Sequence, residues 1–301
     1  MTSLLAMPEV IENVAAMCEW SRKARREDKS IGFVPTMGAL HEGHAALLKT
    51  ARRENARLVA SIFVNPLQFD RKDDLARYPR TWEADMRICE RSGVDAVFAP
   101  DEADLYPLEQ LTFVDPSSLS THLCGAHRPG HFRGVATVVL KLFHIVQPDR
   151  AYFGRKDAQQ LAIIQRMVVD FNLPLAVVPV ETVRESDGLA LSSRNKHLSP
   201  AERLAAPLLS RALRQAVELI DAGERSPSIV KARVLPLFAR SPLALVEYFE
   251  IVNPQTMSPV SIINGSVLIA TAVWFGSTRL IDNIFWPVAL GDNATHVCQT
   301  L

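Results

Sequence analysis

The stretch Val34–His44, V-P-T-M-G-A-L-H-E-G-H, joins two segments whose residue patterns differ. The residues I-G-F-V-P (31–35) before it are apolar and β-prone, and they predict a strand. The residues H-A-A-L-L-K-T-A-R-R (44–53) after it have apolar side chains at helical spacing. A helix start offers free N–H groups and the positive end of the helix dipole, both of which favour an anion. We therefore predict that this glycine-bearing turn binds a phosphate.

Two histidines of this stretch are candidates for contacts with a nucleotide. His41 and His44 are three residues apart, which places both rings on one helix face if the helix has begun by Leu40. Gly43 would leave that face bare between them, so a purine or a ribose could lie there. The pair can equally be ordinary polar residues at a helix start. A zinc site is disfavoured, because H-E-G-H lacks the spacing of H-E-x-x-H and has no cysteine nearby.

The composition describes an ordinary globular protein and excludes several functional classes. The chain has 301 residues, enough for two domains, with 48% hydrophobic and 22% charged residues. Lys plus Arg and Asp plus Glu number 33 each, so no basic excess points to nucleic acid. The four cysteines are scattered without a C-x-x-C pair, which favours reduced thiols over a metal or disulfide framework. Neither a secretory signal nor a run of about 20 apolar residues is found, so we predict a cytoplasmic protein that does not enter a membrane.

Polar residues follow a second predicted strand, Leu58–Val64, in the sequence N-P-L-Q-F (65–69). Ligand contacts in α/β proteins are placed directly after the carboxyl ends of parallel strands. Asn65 and Gln68 are therefore candidates for binding a small polar substrate. The same residues also suit a plain Asn-Pro turn that ends a strand.

A second strand, glycine and helix arrangement begins at A-Y-F-G (151–154) and continues through R-K-D-A-Q-Q (155–160). Lys156 at this turn can contact a phosphate as a point charge, and Gln160 can reach the same cavity from the helix. Ser192 and Ser193 beside Arg194 also suit phosphate binding, although a linker has a similar composition. Arg128, His131 and Arg133 precede an apolar helix at 135–146, where they fit an anion site or a charged surface loop.

The remaining elements are placed by periodicity and by turn residues. Predicted helices cover Pro8–Glu27, Trp82–Ser92, Leu161–Phe171, 200–222 and 227–239, and predicted strands include V-D-A-V-F-A-P (94–100), L-T-F-V-D (111–115), L-A-V-V-P-V (175–180) and three more near 246–252, 266–275 and 279–284. Residues 70–80 are charged and non-periodic, which indicates an exposed loop that can cover a site. Ser199, Pro200 and Glu202 form a capping box near the start of an α+β part, and residues from about Val288 lack periodicity.

Six motifs, taken together, resemble the pantothenate synthetases (pantoate–β-alanine ligases, AMP-forming). In chain order these are V-P-T-M-G-A-L-H-E-G-H, F-V-N-P-L-Q-F, Y-P-R-T, R-P-G-H-F-R-G-V, G-R-K-D-A-Q-Q and D-G-L-A-L-S-S-R-N. They occur in the order and at the approximate spacing of that family, and the resemblance covers about residues 5–285.

The resemblance implies an α/β fold with a Rossmann-like parallel sheet of the H-I-G-H (HIGH-motif) nucleotidyltransferase class. Residues 1–184 would form the ATP- and pantoate-binding domain, and 185–301 a small α+β C-terminal domain that acts as a lid. In the first step of the implied reaction, (R)-pantoate and ATP give pantoyl adenylate and pyrophosphate. In the second step the β-alanine amine attacks the acyl carbon, which forms pantothenate and releases AMP. The nucleotide would be ATP, bound as its complex with Mg²⁺. The family implies no tightly bound cofactor and no metal site formed by the protein itself. Its members are usually homodimers.

The same resemblance assigns site residues by motif. Catalytic contacts are expected from His41, His44, Lys156 and Arg194, with His44 as the family's proton donor. Pantoate contacts are expected from Gln68 and Gln160, with Asn65 beside them, and Gln68 is also expected to contact β-alanine. ATP contacts are expected from Met37, Gly38, Ala39, Leu40, His41, Glu42, Gly43, His44, Gly154, Arg155, Lys156, Asp157, Val183, Leu191, Ser192, Ser193 and Arg194. Each of these names the residue at the matching position of this chain.

One residue departs from the family pattern, and two other functions stay open. Arg155 stands where the family usually has Glu, and we predict that its side chain points away from the phosphates. Another H-I-G-H-class adenylyltransferase would act on a phosphate acceptor, whereas Asn65, Gln68 and Gln160 suggest an uncharged polar pocket. A catalytically silent nucleotide-binding regulator is disfavoured, because His41, His44, Lys156 and Arg194 are all present.

Overall fold

A computed structural model describes residues 7–70 and 72–287 of the chain, and the side chains of 72 and 73 are outside the description. The larger sheet is parallel throughout and has the strand order β1-β4-β3-β2-β5-β6. Its strands are β1 (Glu9–Ile11), β2 (Ile31–Thr36), β3 (Arg57–Ile62), β4 (Ala96–Phe98), β5 (Arg150–Gly154) and β6 (Ala176–Val180).

Helices connect these strands and cover both faces of the sheet. They are α1 (Val14–Arg26), α2 (Glu42–Glu54), α3 (Lys72–Ala76), α4 (Trp82–Arg91), α5 (Glu102–Leu105), α6 (Leu123–His127), α7 (His131–Val146) and α8 (Ala158–Asp170). Successive residues of β2 divide between two cores: Phe33 packs with Phe143 of α7, whereas Val34 belongs to the cluster that contains Leu48 of α2 and Met86 of α4. The predicted α/β class with a Rossmann-like parallel sheet is confirmed.

The second part of the chain has its own antiparallel sheet, with the order β7-β8-β9. Its elements are α9 (Pro200–Ala205), α10 (Leu208–Asp221), α11 (Pro227–Val234), β7 (Ala244–Val252), β8 (Val267–Phe275) and β9 (Thr278–Trp286). A separate apolar cluster joins Leu213 of α10 to Val273 of β8. The smaller α+β part predicted from the sequence is confirmed, and the Ser199–Glu202 capping box forms as predicted.

Strand β9 lies between the two parts, and its alternating side chains face different cores. Ile281 packs on the cluster of the parallel sheet, whereas Leu280 and Ile284 belong with the second cluster. A further apolar cluster contains Leu123 and Ala158 from the first part together with Leu268 from the second. The two sheets are therefore joined by continuous apolar packing.

The predicted helix over Pro8–Glu27 was wrong at its start. Residues Glu9–Ile11 instead form β1, which pairs in parallel with Ala96–Phe98 at the edge of the sheet. The helix begins at Val14, because the Asn13 side chain accepts a hydrogen bond from the Ala16 N–H and caps it. The pairing partner lies far along the chain, so the periodicity of the local stretch could not indicate it.

Other boundaries also differ from the prediction. L-T-F-V-D (111–115) forms no strand: Phe113 packs under Arg133, and the Val114 N–H donates to the Thr137 hydroxyl. The predicted helix over 200–222 is interrupted at Pro207, which has no N–H to continue it, so that it forms α9 and α10. The helix predicted over 227–239 ends at Val234 and continues as a 3₁₀ turn, while residues from Val288 lie outside the described part.

Candidate active site

The loops after β2 and β5 meet where the order of the parallel sheet reverses. Strand β2 pairs with β3 on one side and with β5 on the other, and the chain proceeds outward in both directions from this pair. Crevices at such a reversal, beyond the carboxyl ends of the strands, are the usual ligand sites of open α/β sheets. The topology therefore brings the stretch 37–44 beside the turn 154–157.

The loop that leaves β2 is held by a buried carboxylate that the sequence analysis did not identify. Asp85 of α4 is 1% exposed, and its two oxygens accept the N–H groups of Ala39 at 2.9 Å and Leu40 at 2.7 Å. The Thr81 hydroxyl donates to the same carboxylate at 3.0 Å. Gly38 and Ala39 both have positive φ, of 80° and 51°, so this loop departs from the conformations that most residues prefer. Asp85 offsets that cost by satisfying two backbone donors.

The predicted histidines form the N-terminal cap of α2. The Nδ1 of His41 accepts the Gly43 N–H at 3.1 Å, and the Nδ1 of His44 accepts the His41 N–H at 3.3 Å. The ring centroids are 4.2 Å apart. The expectation of a bare face at Gly43 was wrong, because the His41 ring lies over it: a Cβ at Gly43 would lie 2.8 Å from that ring. Glycine is required here for the His41 ring to fold back over the helix start.

Both imidazoles are neutral N–H donors at ordinary pH. Burial is the main cause that lowers the pKa of His41 to about 4, and the Lys156 cation adds to it. Burial, followed by the neighbouring His41, lowers the pKa of His44 to about 3. Because Nδ1 of each ring accepts a backbone N–H, the single proton of each neutral ring is assigned to Nε2. Each ring therefore offers an uncharged Nε2–H donor.

These pKa values predict that the protein becomes less stable as the pH falls from 6.5 towards 4. The unfolded chain takes up protons on His41 and His44 near pH 6.5, whereas the folded chain does not, so the free energy of unfolding falls with pH across this window. Urea unfolding at pH 7 and pH 5 should show a smaller difference in His44→Gln than in the wild type. His144→Gln, at an exposed position, is the control. Equal pH dependence in wild type and His44→Gln would contradict the assignment.

The turn after β5 contributes the cavity-facing cation. A cavity of about 820 Å³ is lined by Lys156, Asp157 and Gln160 on one side and by Ser192, Ser193 and Arg194 on another. Lys156 Nζ lies 4.0 Å from Asp157 Oδ1, and its charge contributes to the lowered pKa of both His41 and His44. These predicted residues are thus brought together around a single space, to which they contribute two cations, a carboxylate and hydrogen-bonding side chains.

The second wall of the cavity follows a short hairpin. Arg184 and Ala190 form an antiparallel bridge, and the Leu191 N–H donates to the Val183 carbonyl at 2.9 Å. Ser192 then caps the 3₁₀ turn Ser193–His197 by accepting the Arg194 N–H at 3.2 Å. Val183 and Leu191 thus support the hairpin and are not among the cavity-lining residues.

Arg194 is also linked to the segment that was predicted as an exposed loop. Its Nη2 lies 3.9 Å from the Asp74 carboxylate, which belongs to the short helix α3. Asp70, Asp74, Arg77 and Tyr78 from this segment line the cavity. The segment therefore contains a helix rather than only loop, and it borders the cavity.

Asn65 and Gln68 are buried in a hydrogen-bond network behind the cavity lining. Asn65 is 1% exposed; its amide donates to Gln68 Oε1 at 3.0 Å and to the Gly134 carbonyl at 3.2 Å. Its Oδ1 accepts from the Tyr106 hydroxyl at 2.8 Å and, less closely, from the Leu67 N–H. All four hydrogen-bonding positions of Asn65 are occupied, so in this conformation it orients Gln68. The Nε2 of Gln68 lies 3.0 Å from the sulfur of Met37.

The R-P-G-H-F-R-G segment supports the same turn from the other side. His131 Nδ1 lies 2.7 Å from the Gln68 carbonyl oxygen, and Arg128 Nη1 lies 3.2 Å from His131 Nε2. His131 and Arg128 line the cavity, whereas Arg133 stacks on Phe113 with its guanidinium 3.8 Å from the ring centroid. Gly134 allows α7 to approach closely, because a Cβ there would collide with the backbone of Leu67. Of the three residues predicted to form an anion site, Arg128 and His131 therefore line the cavity and Arg133 does not.

The Arg155 side chain lies outside the cavity lining. Its guanidinium is 5.1 Å from the centroid of the Phe285 ring, and its Nε is 2.8 Å from a carboxylate oxygen of Glu181, without the direction of a hydrogen bond. Predicted residues that do not line the cavity are Met37 to His44, Asn65, Gln68, Gly154, Arg155, Val183 and Leu191.

Within 7–70 and 72–287, no group of three or more His, Cys, Asp or Glu side chains is arranged to hold a metal ion. In the same part of the chain, none of the helices combines the length and apolar character needed to cross a membrane.

A family profile and individual relatives both match nearly the whole chain, and they agree on the family. A sequence profile described as Pantoate-beta-alanine ligase matches residues 9–285. Pantothenate synthetase from Heliobacterium modesticaldum is 54% identical over 91% of this chain and 98% of its own, and that from Moorella thermoacetica is 50% identical over 93% and 99%.

Two solved structures extend this similarity to the fold. Pantothenate synthetase from Thermus thermophilus superimposes with a TM-score of 0.86 at 44% identity, covering 92% of this chain and 98% of its own. A pantoate-beta-alanine ligase from Francisella tularensis, described as complexed with beta-gamma ATP and beta-alanine, gives 0.76 at 34% identity, over 92% and 97%. The similarity therefore spans both sheets.

Proposed function

The chain belongs to the pantoate-β-alanine ligase family, and from this membership we propose how its cavity performs the reaction. The protein is an AMP-forming ligase that condenses pantoate with β-alanine at the expense of ATP. The proposal is carried by one observation: Lys156, Asp157, Gln160 and Ser192–Arg194 line the same cavity.

The first step joins pantoate to the nucleotide. A carboxylate oxygen of pantoate attacks the α-phosphorus of ATP, and the bond from that phosphorus to the departing pyrophosphate breaks. Negative charge grows on the α-phosphate and on pyrophosphate, and preorganised donors and cations stabilise such charge. Lys156 and Arg194 supply cations from the cavity lining. His41 and His44 lie behind that lining, within the electrostatic range of Lys156, and are proposed to supply neutral Nε2–H donors. Burial lowers the pKa of His44 to about 3 in the protein without ligand, so we propose that His44 acts by hydrogen bonding rather than by releasing a proton.

The second step forms the amide. The neutral amine of β-alanine attacks the acyl carbon of pantoyl adenylate, the C–N bond forms, and the bond from the acyl carbon to the phosphate oxygen breaks to release AMP. The amine proton leaves to solvent or to the phosphate. Neither step requires a covalent nucleophile of the protein, so catalysis rests on positioning and charge stabilisation. Gln160 from the cavity wall and Gln68 from the turn behind it are proposed to bind pantoate.

Mg²⁺ is proposed to arrive with ATP as the substrate complex. This ion is usually bound through substrate phosphates with one or two protein carboxylates. Asp157 supports that arrangement, because it lines the cavity directly beside Lys156.

Two further proposals concern the organisation of the protein. We propose the domains 1–184 and 185–301, a division that is supported by the second apolar cluster, which begins at Leu189. A homodimer in the cytoplasm is proposed from family membership. Leu108 and Leu111, which are 82% and 80% exposed, offer an apolar surface for a partner. Light scattering of the purified protein would test the dimer.

One assay tests the proposed reaction. Pyrophosphate should be released from ATP when pantoate alone is added, and AMP should follow only after β-alanine is supplied. Release of pyrophosphate with nicotinate mononucleotide or phosphopantetheine instead would indicate a different acceptor. No turnover with any acceptor would indicate a silent nucleotide-binding protein.

Arg155→Glu is expected to leave kcat/KM within about threefold of the wild type. The Arg155 side chain lies on Phe285 and near Glu181. The Glu181 side chain is 82% exposed, so its ion pair with Arg155 contributes little to stability. Backbone contacts from the turn do not depend on this side chain. Steady-state kinetics of Arg155→Glu and Arg155→Ala measure the effect. A strong gain of activity in Arg155→Glu alone would contradict the view that residue 155 faces away from the phosphates.

A further inference from the structure

Strand β9 of the second sheet holds the turn that carries Lys156. Asn283 is 7% exposed, and its side-chain amide donates to the carbonyl of Arg155 at 3.0 Å and to the carbonyl of Lys156 at 2.8 Å. Both donors of this amide are thereby occupied by the backbone of the turn. Although Asn283 borders the cavity, its N–H groups are directed at the protein and not at a ligand.

These two bonds determine the orientation of consecutive peptide planes. In a trans peptide the C=O of one residue and the N–H of the next point in opposite directions. Because the carbonyls of Arg155 and Lys156 point to β9, the N–H groups of Lys156 and Asp157 point away from it. A fixed backbone also restricts where the Lys156 side chain begins. The Arg155 side chain has no part in this, since it lies on Phe285, two residues further along the same strand.

The neighbouring residue of β9 holds the other wall of the cavity. Asp282 is 2% exposed and accepts two hydrogen bonds from the Arg184 guanidinium, at 2.7 and 2.9 Å. Arg184 in turn donates to the Gly188 carbonyl at 3.0 Å and closes the hairpin that leads to Ser192–Arg194. Two adjacent residues of one strand therefore hold both walls that line the cavity.

We propose that Asn283 is a positioning residue for Lys156 and that, together with Asp282, it sets the separation of the two cavity walls that carry Lys156 and Arg194. This inference rests on the proposed role of Lys156 in binding the phosphates of ATP. The second sheet then takes part in the first step of the reaction through the side chains of Asn283 and Asp282, without touching the reacting atoms.

A double-mutant cycle tests the proposal in the full-length enzyme. The variants are Asn283→Asp, which keeps the shape but replaces the donating amide, Lys156→Met, and the two combined. Asn253→Asp is the matched control, because the Asn253 side chain caps its own turn through the acceptor oxygen, which aspartate retains. Rates of AMP formation are measured with ATP and pantoate varied in turn.

Asn283→Asp is expected to lower kcat/KM for ATP at least about tenfold, the effect of losing two buried hydrogen bonds, while the KM for pantoate stays within about twofold. Because Asn283 acts through Lys156, the fold-loss of kcat/KM for ATP in the combined variant should be far smaller than the product of the fold-losses in the two single variants. Asn253→Asp should match the wild type.

The outcomes separate this inference from the proposed function. If Lys156→Met has wild-type kinetics, the phosphate role of Lys156 is wrong and the inference falls with it. If Lys156→Met is impaired but Asn283→Asp is normal, strictly additive, or equally impaired towards both substrates, the inference alone is overturned.

A second variant guards against a failure of Asn283→Asp to fold. Asn283→Ala removes both donors without adding a charge, and its melting temperature reports on the fold. Hydrogen exchange of the segment 150–160 should be faster in this variant than in the wild type, and unchanged in Asn253→Asp. Unchanged exchange of that segment in a folded Asn283→Ala protein would overturn the proposal.

Discussion

Replacing His44 by alanine is expected to slow the adenylation of pantoate at least about 100-fold, the usual effect of removing one donor to developing negative charge. The ring of His44 is proposed to donate its Nε2–H to phosphate, while its Nδ1 accepts the His41 N–H at 3.3 Å. Alanine removes both the donor and this backbone contact at the start of α2. Single-turnover pyrophosphate release with saturating ATP and pantoate measures the step directly.

A second variant distinguishes hydrogen-bond donation by His44 from release of a proton by His44. Glutamine also carries a neutral N–H donor at the end of its side chain, so His44→Gln should recover part of the lost rate. A mechanism in which His44 must release a proton would not be rescued in this way. His144→Ala, at an exposed position of α7, is the control for loss of a histidine. Unchanged adenylation in His44→Ala would remove the residue from the mechanism.

The second large effect is expected from Asp85, which does not line the cavity. Asp85→Ala leaves the N–H groups of Ala39 and Leu40 without their acceptor in a buried place, and each such group costs about 1–3 kcal/mol. The free energy of unfolding should therefore fall by about 2–6 kcal/mol, as measured by urea denaturation. Because the same loop is proposed to bind ATP, the KM for ATP should rise in protein that remains folded.

A milder variant separates stability from function at this position. Asp85→Asn keeps one acceptor oxygen, so it should lose less stability than Asp85→Ala while still loosening the loop. Asp101→Asn is the matched control, because Asp101 caps the short helix α5 at an exposed position where asparagine is equally suitable. If Asp85→Asn and Asp101→Asn were alike in both stability and KM for ATP, the structural role of the Asp85 carboxylate would be contradicted.

The elements that the sequence predicted well are those with a local cause. The Ser199–Glu202 capping box depends on adjacent residues, and so do the strand before the turn at 37–41 and the helix after it; all three form as expected. The two strand–glycine–helix units could also be recognised from the sequence, because Gly38 and Gly154 follow buried apolar runs. Their meeting at one sheet edge follows from the parallel order of β2 and β5.

The residues that the sequence did not reveal act over long separations. Asp85 lies in an ordinary amphipathic helix, and nothing in W-E-A-D-M-R indicates that its carboxylate binds a loop 45 residues earlier. Asn283 reaches a carbonyl 127 residues earlier. The edge strand Glu9–Ile11 was missed for the same reason, since its partner β4 lies far along the chain. The helical pattern places Asp85 beside buried Met86 and Cys89, which indicates a buried carboxylate but not the loop that it binds.

The place of β9 in the chain has a consequence for synthesis on the ribosome. Domains tend to fold as they emerge, the N-terminal one first. The parallel sheet can form early, but Asp282 emerges 98 residues after Arg184 of the hairpin, and Asn283 emerges 127 residues after Lys156 of the turn. A nascent chain whose β9 has not yet left the ribosome therefore lacks the Asn283 contacts with the turn of Lys156. We infer that the turn of Lys156 becomes ordered for ATP only after β9 has left the ribosome.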